Sequence, residues 1–145
     1  MPTERILTNR IFVDTLFVIA LINRRDQYHR QALELAKEFE GRPLLVTNAV
    51  LLEIGNALGR RCKQEAVAII ERFLASKEVE VVHLTPRLFA RGFGLYKSRK
   101  DKTWGFVDGI SFIVMREAGV NRALTFDRHF VQAGFHALMR ETSST

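Results

Sequence analysis

Between Arg10 and Met139 the chain alternates short apolar runs with stretches in which apolar residues return every three or four positions, the two periods of strands and helices. Arg10 to Val13 reads as a short strand, and Leu16 to Ile22 continues as a helix that is apolar nearly all round and therefore buried. After the polar break Asn23 to Asp26, the residues Ala32, Leu35, Ala36 and Phe39 recur at helical spacing, and Gly41 ends that helix. Leu44 to Val46 predicts a second strand, followed by a helix carrying Val50, Leu51, Ile54 and Leu58 inward and another carrying Val67, Ile70 and Leu74. Val79 to His83 predicts a third strand. Thr85 and Pro86 form a cap and first-turn proline opening a helix through about Tyr96, since proline's missing N–H costs nothing there. The next helix starts near Asp108, turns Ile110, Ile113, Val114 and Ala118 to one side and stops at Gly119. Ala123 to Thr125 predicts a fourth strand and Ala137 to Met139 is a candidate fifth. This order predicts a three-layer α/β/α fold with a mostly parallel central sheet of four to five strands.

No linker, repeat or low-complexity tract divides the 145 residues, so residues 1–145 are expected to form one domain, with 141–145 as a frayed tail. Hydrophobic residues make up 47% and charged residues 26%, which excludes a disordered chain. The single Cys62 forms no internal disulfide and anchors no zinc site, which suits a reducing cytoplasm. The apolar run Ile11 to Ile22 contains Asp14, lacks a small-residue cleavage site and is too short to span a bilayer, so it is read as a strand running into a helix rather than as a targeting or membrane segment.

Lys and Arg number 22 against 16 Asp and Glu, a formal charge of +6 that favours an anionic partner. The cations group as Arg24, Arg25 and Arg30, then Arg60, Arg61 and Lys63, then Lys97, Arg99, Lys100 and Lys102. Such runs are often only solvated faces, and the acids decide what this charge is for.

Parallel α/β sheets place their sites beyond the carboxyl ends of strands, and Asp14 and Asp127 both follow apolar runs immediately. Glu53, between Val50 and Ile54, and Asp108, among Phe106, Val107 and Ile110, lie in helices expected beside those ends. Asp14, Asp108 and Asp127 also occupy positions where aspartate commonly caps a helix, and Glu53 is placed to pair with an arginine such as Arg60. As a converging group, however, four carboxylates repel one another unless cations hold them ionised. Oxygen ligands without cysteine or an obvious histidine select Mg2+, with Mn2+ able to substitute. A metal-activated water would then hydrolyse a phosphodiester, leaving a 5′-phosphate and a 3′-hydroxyl. His29, His83, His129 and His136 are scattered and read as structural, while Trp104 and Phe106 read as packing aromatics or base-stacking rings. Arg128 and the Lys97, Arg99, Lys100 and Lys102 cluster are candidate phosphate contacts.

These residues carry a resemblance. Phe-Val-Asp14-Thr15, Leu52-Glu53-Ile with Asn56-Ala-Leu, Asp101-Lys-Thr-Trp104 leading to Asp108, and Ala123-Leu-Thr-Phe-Asp127-Arg-His-Phe130, in this order, resemble the PIN-domain nucleases, and among them the toxins of VapBC toxin–antitoxin systems. The resemblance runs from about Ile11 to Met139. It implies a PIN fold, metal-dependent endoribonuclease activity on RNA, a homodimer and a cognate VapB-like antitoxin. It also matches Asp14, Glu53, Asp108 and Asp127 to the family's acidic quartet, with Thr15 and Thr125 as supporting hydroxyls and Asp101 as a peripheral acid. Gly105 and Leu16 depart from the pattern, which usually has a serine and a small or polar residue there. The competing expectation is a catalytically weak PIN-like RNA-binding or scaffold domain, against which the intact quartet argues. A phosphoacceptor receiver domain is further off, because no acidic pair adjoins Asp14 and no lysine follows the fourth strand.

Overall fold

The computed structural model describes residues 9–141. In chain order the elements are β1 (Ile11–Val13), α1 (Thr15–Ile22), α2 (His29–Glu38), β2 (Leu44–Thr47), α3 (Asn48–Leu58), α4 (Lys63–Ala75), β3 (Val79–Val82), α5 (Pro86–Ser98), α6 (Phe106–Ala118), β4 (Arg122–Leu124), α7 (Arg128–Gln132) and β5 (His136–Ala137), followed by a 3-10 turn at Leu138–Arg140. Residues 142–145 of the expected tail lie outside the described residues. Glu141 itself is held, its N–H donating to the Leu138 carbonyl and its carboxylate lying 2.8 Å from His136 Nδ1.

The strands form one five-stranded sheet in the order β3-β2-β1-β4-β5, flanked by the seven described helices. Every pairing is parallel. The chain leaves central β1 towards β2 and β3 on one side and returns through α5 and α6 to β4 and β5 on the other. The gap between the carboxyl ends of β1 and β4 is therefore the switch point at which open parallel sheets bind ligands. β1 is buried at every residue, as a central strand covered on both faces must be.

Local chemistry sets the ends that matter. The Thr47 hydroxyl accepts from the Val50 N–H and starts α3 directly from β2, and Thr85 does the same for α5 through the Leu88 N–H. Gly119, at φ 70°, closes α6 in the left-handed conformation that suits glycine. An aromatic core fixes α6 against α7. Phe112 meets Phe130 edge-on at 5.0 Å and Trp104 at 5.0 Å, and the Trp104 Nε1–H donates to Gln132 Oε1 at 2.9 Å.

One expectation is corrected. On α4 the buried residues are Ala66 and Phe73, whereas Val67 and Leu74, expected inward, are 46% and 58% exposed. The reason is a frame of one residue: Ala66, Ile69, Ile70 and Phe73 also recur at helical spacing, and this set packs the core. On α6, Ile110, Ile113 and Val114 are buried and Ala118 packs against the core as expected, and burial extends round the helix from Gly109 to Met115. The five-residue α7 was not anticipated because it is shorter than two turns and has no readable period.

Glycines let α5 and α6 approach closely. A Cβ on Gly92 would stand 2.5 Å from Ile110 Cγ1, and one on Gly109 would stand 3.3 Å from the Gly92 carbonyl oxygen. Gly92→Ala is therefore expected to lower stability by about 1–2 kcal/mol in urea denaturation, because overpacking against a β-branched residue outweighs the helix-propensity gain. A variant as stable as the parent would contradict this tight crossing.

Candidate active site

The four acids expected to converge come from four different elements. Asp14 is the N-cap residue between β1 and α1, Glu53 sits inside α3, Asp108 is the third residue of α6, and Asp127 caps α7. Asp14 makes no capping bond; its Oδ2 instead accepts from the Thr125 hydroxyl at 2.8 Å. The same Thr125 oxygen accepts from the Asp127 N–H at 3.0 Å. One buried threonine thus ties the end of β1 to the turn after β4. Thr15 donates to Glu53 Oε1 at 2.7 Å, so Glu53 takes a hydroxyl partner from α1 rather than Arg60.

Asp108 reaches back to accept from the Gly105 N–H at 3.1 Å, the carboxylate half of a capping box. Its Oδ2 also lies 3.1 Å from His129 Nδ1, which is 3.3 Å from Asp127 Oδ1. The far ring nitrogen of His129 is 3.1 Å from the Thr103 hydroxyl. With Nδ1 facing carboxylates that only accept, the ring is set to carry its proton on Nδ1 and to accept from Thr103 at Nε2. Oxygens of Asp108 and Asp127 and a nitrogen of His129 all lie within 4.8 Å of one another, a spacing suited to one cation. Asp14 and Glu53 stand outside that trio but act on it through their charge. His129 thus stands among the acids as a donor through Nδ1–H, a place the sequence reading did not give it, and the carboxylate oxygens remain the candidate cation ligands. Its signal in the sequence was its place two residues after Asp127, where the carboxylate that caps the helix also meets the imidazole.

Burial is the main electrostatic fact. It pushes the Asp14 carboxyl from its ordinary 3.8 up to about 7, with Asp108 and Asp127 adding to the rise and the Thr125 hydroxyl and Thr15 backbone opposing it. Burial also raises Glu53, with Asp108 contributing and the Thr15 hydroxyl opposing, and it raises Asp108, where the Gly105 N–H opposes. Carboxylates packed this way favour a bound divalent cation, which removes the repulsion and replaces lost hydration.

The remaining expected residues lie farther out. Asp101 is exposed and its partner is Lys102 at 3.8 Å. Lys97, Arg99, Lys100 and Arg128 are exposed, with Lys97 over the Phe93 ring and Arg99 over Trp104. Trp104 is a core residue. His29 closes the turn between α1 and α2, its Nδ1 lying 2.8 Å from the Ala20 carbonyl oxygen. Among the described residues no helix is long and apolar enough to cross a membrane.

The parallel sheet gathers these carboxylates at its switch point, and residues 11–136 match the PIN domain family model. The chain belongs to the PIN-domain family. It is 35% identical over 127 residues to the 23S rRNA-specific endonuclease VapC20 of Mycobacterium tuberculosis, in strains CDC 1551 / Oshkosh and H37Rv, an alignment covering 86% of this chain and 95% of that protein. The crystal structure of M. tuberculosis VapC20, described as a sarcin-ricin loop cleaving toxin, superposes with a TM-score of 0.78 at 34% identity and the same coverage.

The raised Asp14 pKa fixes the sign of a pH effect. Between about pH 4 and 7 the folded metal-free protein binds more protons than the unfolded chain, so stability falls as pH rises through that window. Asp14→Asn keeps an acceptor for Thr125 and removes the titration. Relative to the parent, the metal-free variant is expected to gain up to about 4 kcal/mol between pH 4 and 8, measured by chemical denaturation at each pH. Parallel stability profiles for the two proteins would contradict the burial argument.

Proposed function

We propose that this chain is an endoribonuclease that uses Mg2+, with Mn2+ able to substitute, to hydrolyse RNA phosphodiester bonds, and that it is the toxin of a toxin–antitoxin pair. The observation that carries the reading is the carboxylate cluster around buried Asp14 at the β1/β4 switch point in a PIN-domain chain. Asp14, Glu53, Asp108 and Asp127 would hold the cation, Asp108 and Asp127 being near enough to share one ion. An ion held there would supply an activated water and offset charge on the phosphate, the chemistry that leaves 5′-phosphate and 3′-hydroxyl ends. Thr15 and Thr125 fix the rotamers of Glu53 and Asp14, so that two of the acids are in place before substrate arrives. His129 holds Asp108 and Asp127 in register through Nδ1. Lys97, Arg99, Lys100, Lys102 and Arg128 supply phosphate contacts at the rim, consistent with the charge of +6. No role is assigned to Asp101.

The toxin assignment rests on similarity to VapC20 along nearly its whole length; a VapB-like antitoxin covering the acidic site and a homodimer belong to the same proposal. The substrate class is RNA; shape and loop contacts choose the molecule.

Purified protein freed of partners is incubated with mixed cellular RNA in magnesium, manganese or EDTA. Cleavage is expected only with metal, with 5′-phosphate ends, and reduced about 100-fold or more in Asp108→Asn, since one cation-holding carboxylate is worth several kcal/mol of transition-state stabilisation. Folded, metal-loaded protein that binds RNA and never cuts it would replace this reading with a binding module.

A further inference from the structure

Asp108 and Asp127 each commit one oxygen to the protein and leave the other open. Asp108 Oδ2 accepts from the Gly105 N–H at 3.1 Å and lies 3.1 Å from His129 Nδ1. Asp127 Oδ1 accepts from the His129 backbone N–H at 2.9 Å and stands 3.3 Å from the same ring nitrogen. A carboxylate oxygen has two lone pairs, so two donors occupy it fully. Among the described residues no donor reaches Asp108 Oδ1 or Asp127 Oδ2, and these two atoms are what the pair has left for an ion.

His129 supplies the second donor in both cases, and its ring is held from behind. Nε2 lies 3.1 Å from the Thr103 hydroxyl, while the next residue, Trp104, is buried and its indole N–H donates to Gln132 at 2.9 Å. The segment before α6 is thereby tied to α7 at two points, and fully buried Phe130 anchors the same helix from its inner side. Hydrogen bonds of this kind orient metal ligands from outside the coordination sphere. Here they also decide how many oxygens each acid offers.

That number separates one hard cation from another. Ca2+ takes about six to eight oxygens and accepts both oxygens of a single carboxylate, whereas Mg2+ demands a near-ideal octahedron, takes single oxygens from one or two carboxylates and keeps several waters. We propose that His129 is a positioning residue that closes Asp108 and Asp127 to two-oxygen coordination, so that the cluster prefers Mg2+ and discriminates against Ca2+. This rests on the reading of the cluster as a divalent-cation site and adds to it how the ion is chosen. His129 contributes no ligand atom, because Nδ1 carries the proton that it donates.

The test is calorimetric titration of the full chain with Mg2+, Mn2+ and Ca2+ in the absence of RNA. The parent is expected to bind Mg2+ at least about tenfold more tightly than Ca2+. His129→Leu removes the ring donor and is expected to bring the two affinities to within about threefold of each other. His129→Asn returns an N–H donor near the place of Nδ1 and restores the preference, which separates the donor's effect from a folding defect. A parent that binds Ca2+ as tightly as Mg2+ would overturn the proposal, as would a leucine variant that weakens every ion alike or an asparagine variant that keeps the leucine variant's ratio. Loss of Mn2+ affinity in both variants at unchanged Mg2+ affinity would also overturn it and make the imidazole a ligand, since nitrogen favours the softer ion. A folded parent that binds none of the three ions would sink the divalent-site reading and this proposal with it.

Discussion

The hydrogen bond from Thr125 to Asp14 joins a carboxylate at the end of the central strand to the turn after the neighbouring strand, and the rest of the site is arranged around it. A buried carboxylate is a liability unless something stabilises its charge. At this point the protein supplies one hydroxyl and one backbone N–H, and it places two further carboxylates near enough to make matters worse. Such an arrangement does little for folding and a great deal for capturing a cation. The fold accommodates it at the switch point, where adjacent parallel strands diverge in their connections and leave room for side chains from four elements.

The supporting structure is correspondingly rigid. Phe112, Phe130 and Trp104 lock α6 to α7, which carries Asp108 and His129 into contact. The glycine crossing of α5 and α6 sets how close an aromatic face, the exposed rings of Phe89, Phe93 and Tyr96 gathered on Phe106, lies to the acids. Acid cluster and aromatic face are therefore two sides of the first turn of α6. A shift of that turn would move both.

Much of this was readable in the sequence, for identifiable reasons. Asp14 and Asp127 stood out because apolar strands end just before them, and Glu53 and Asp108 because ionised groups were embedded in apolar helices. The Thr85-Pro86 start and the Gly119 stop were legible because capping chemistry is local. His129 was not, because its role depends on Asp108, 21 residues away and brought near only by the packing of α6 on α7. The inward face of α4 was misplaced because apolar residues occupy two neighbouring frames, and only tertiary contacts choose between them. The Phe89, Phe93 and Tyr96 face escaped notice for the opposite reason: at helical spacing it looks like core, and only its exposure marks it as surface.

The central claim is that the carboxylates around Asp14 form a divalent-cation site, and the most direct measurement is calorimetric titration of the purified protein with Mn2+ near pH 7 in buffers of different ionisation enthalpy. With Asp14 titrating at about 7, binding should displace roughly half a proton or more per site, and the displacement should largely vanish in Asp14→Asn. Binding without proton release, or no binding by folded protein at millimolar metal, would contradict the account.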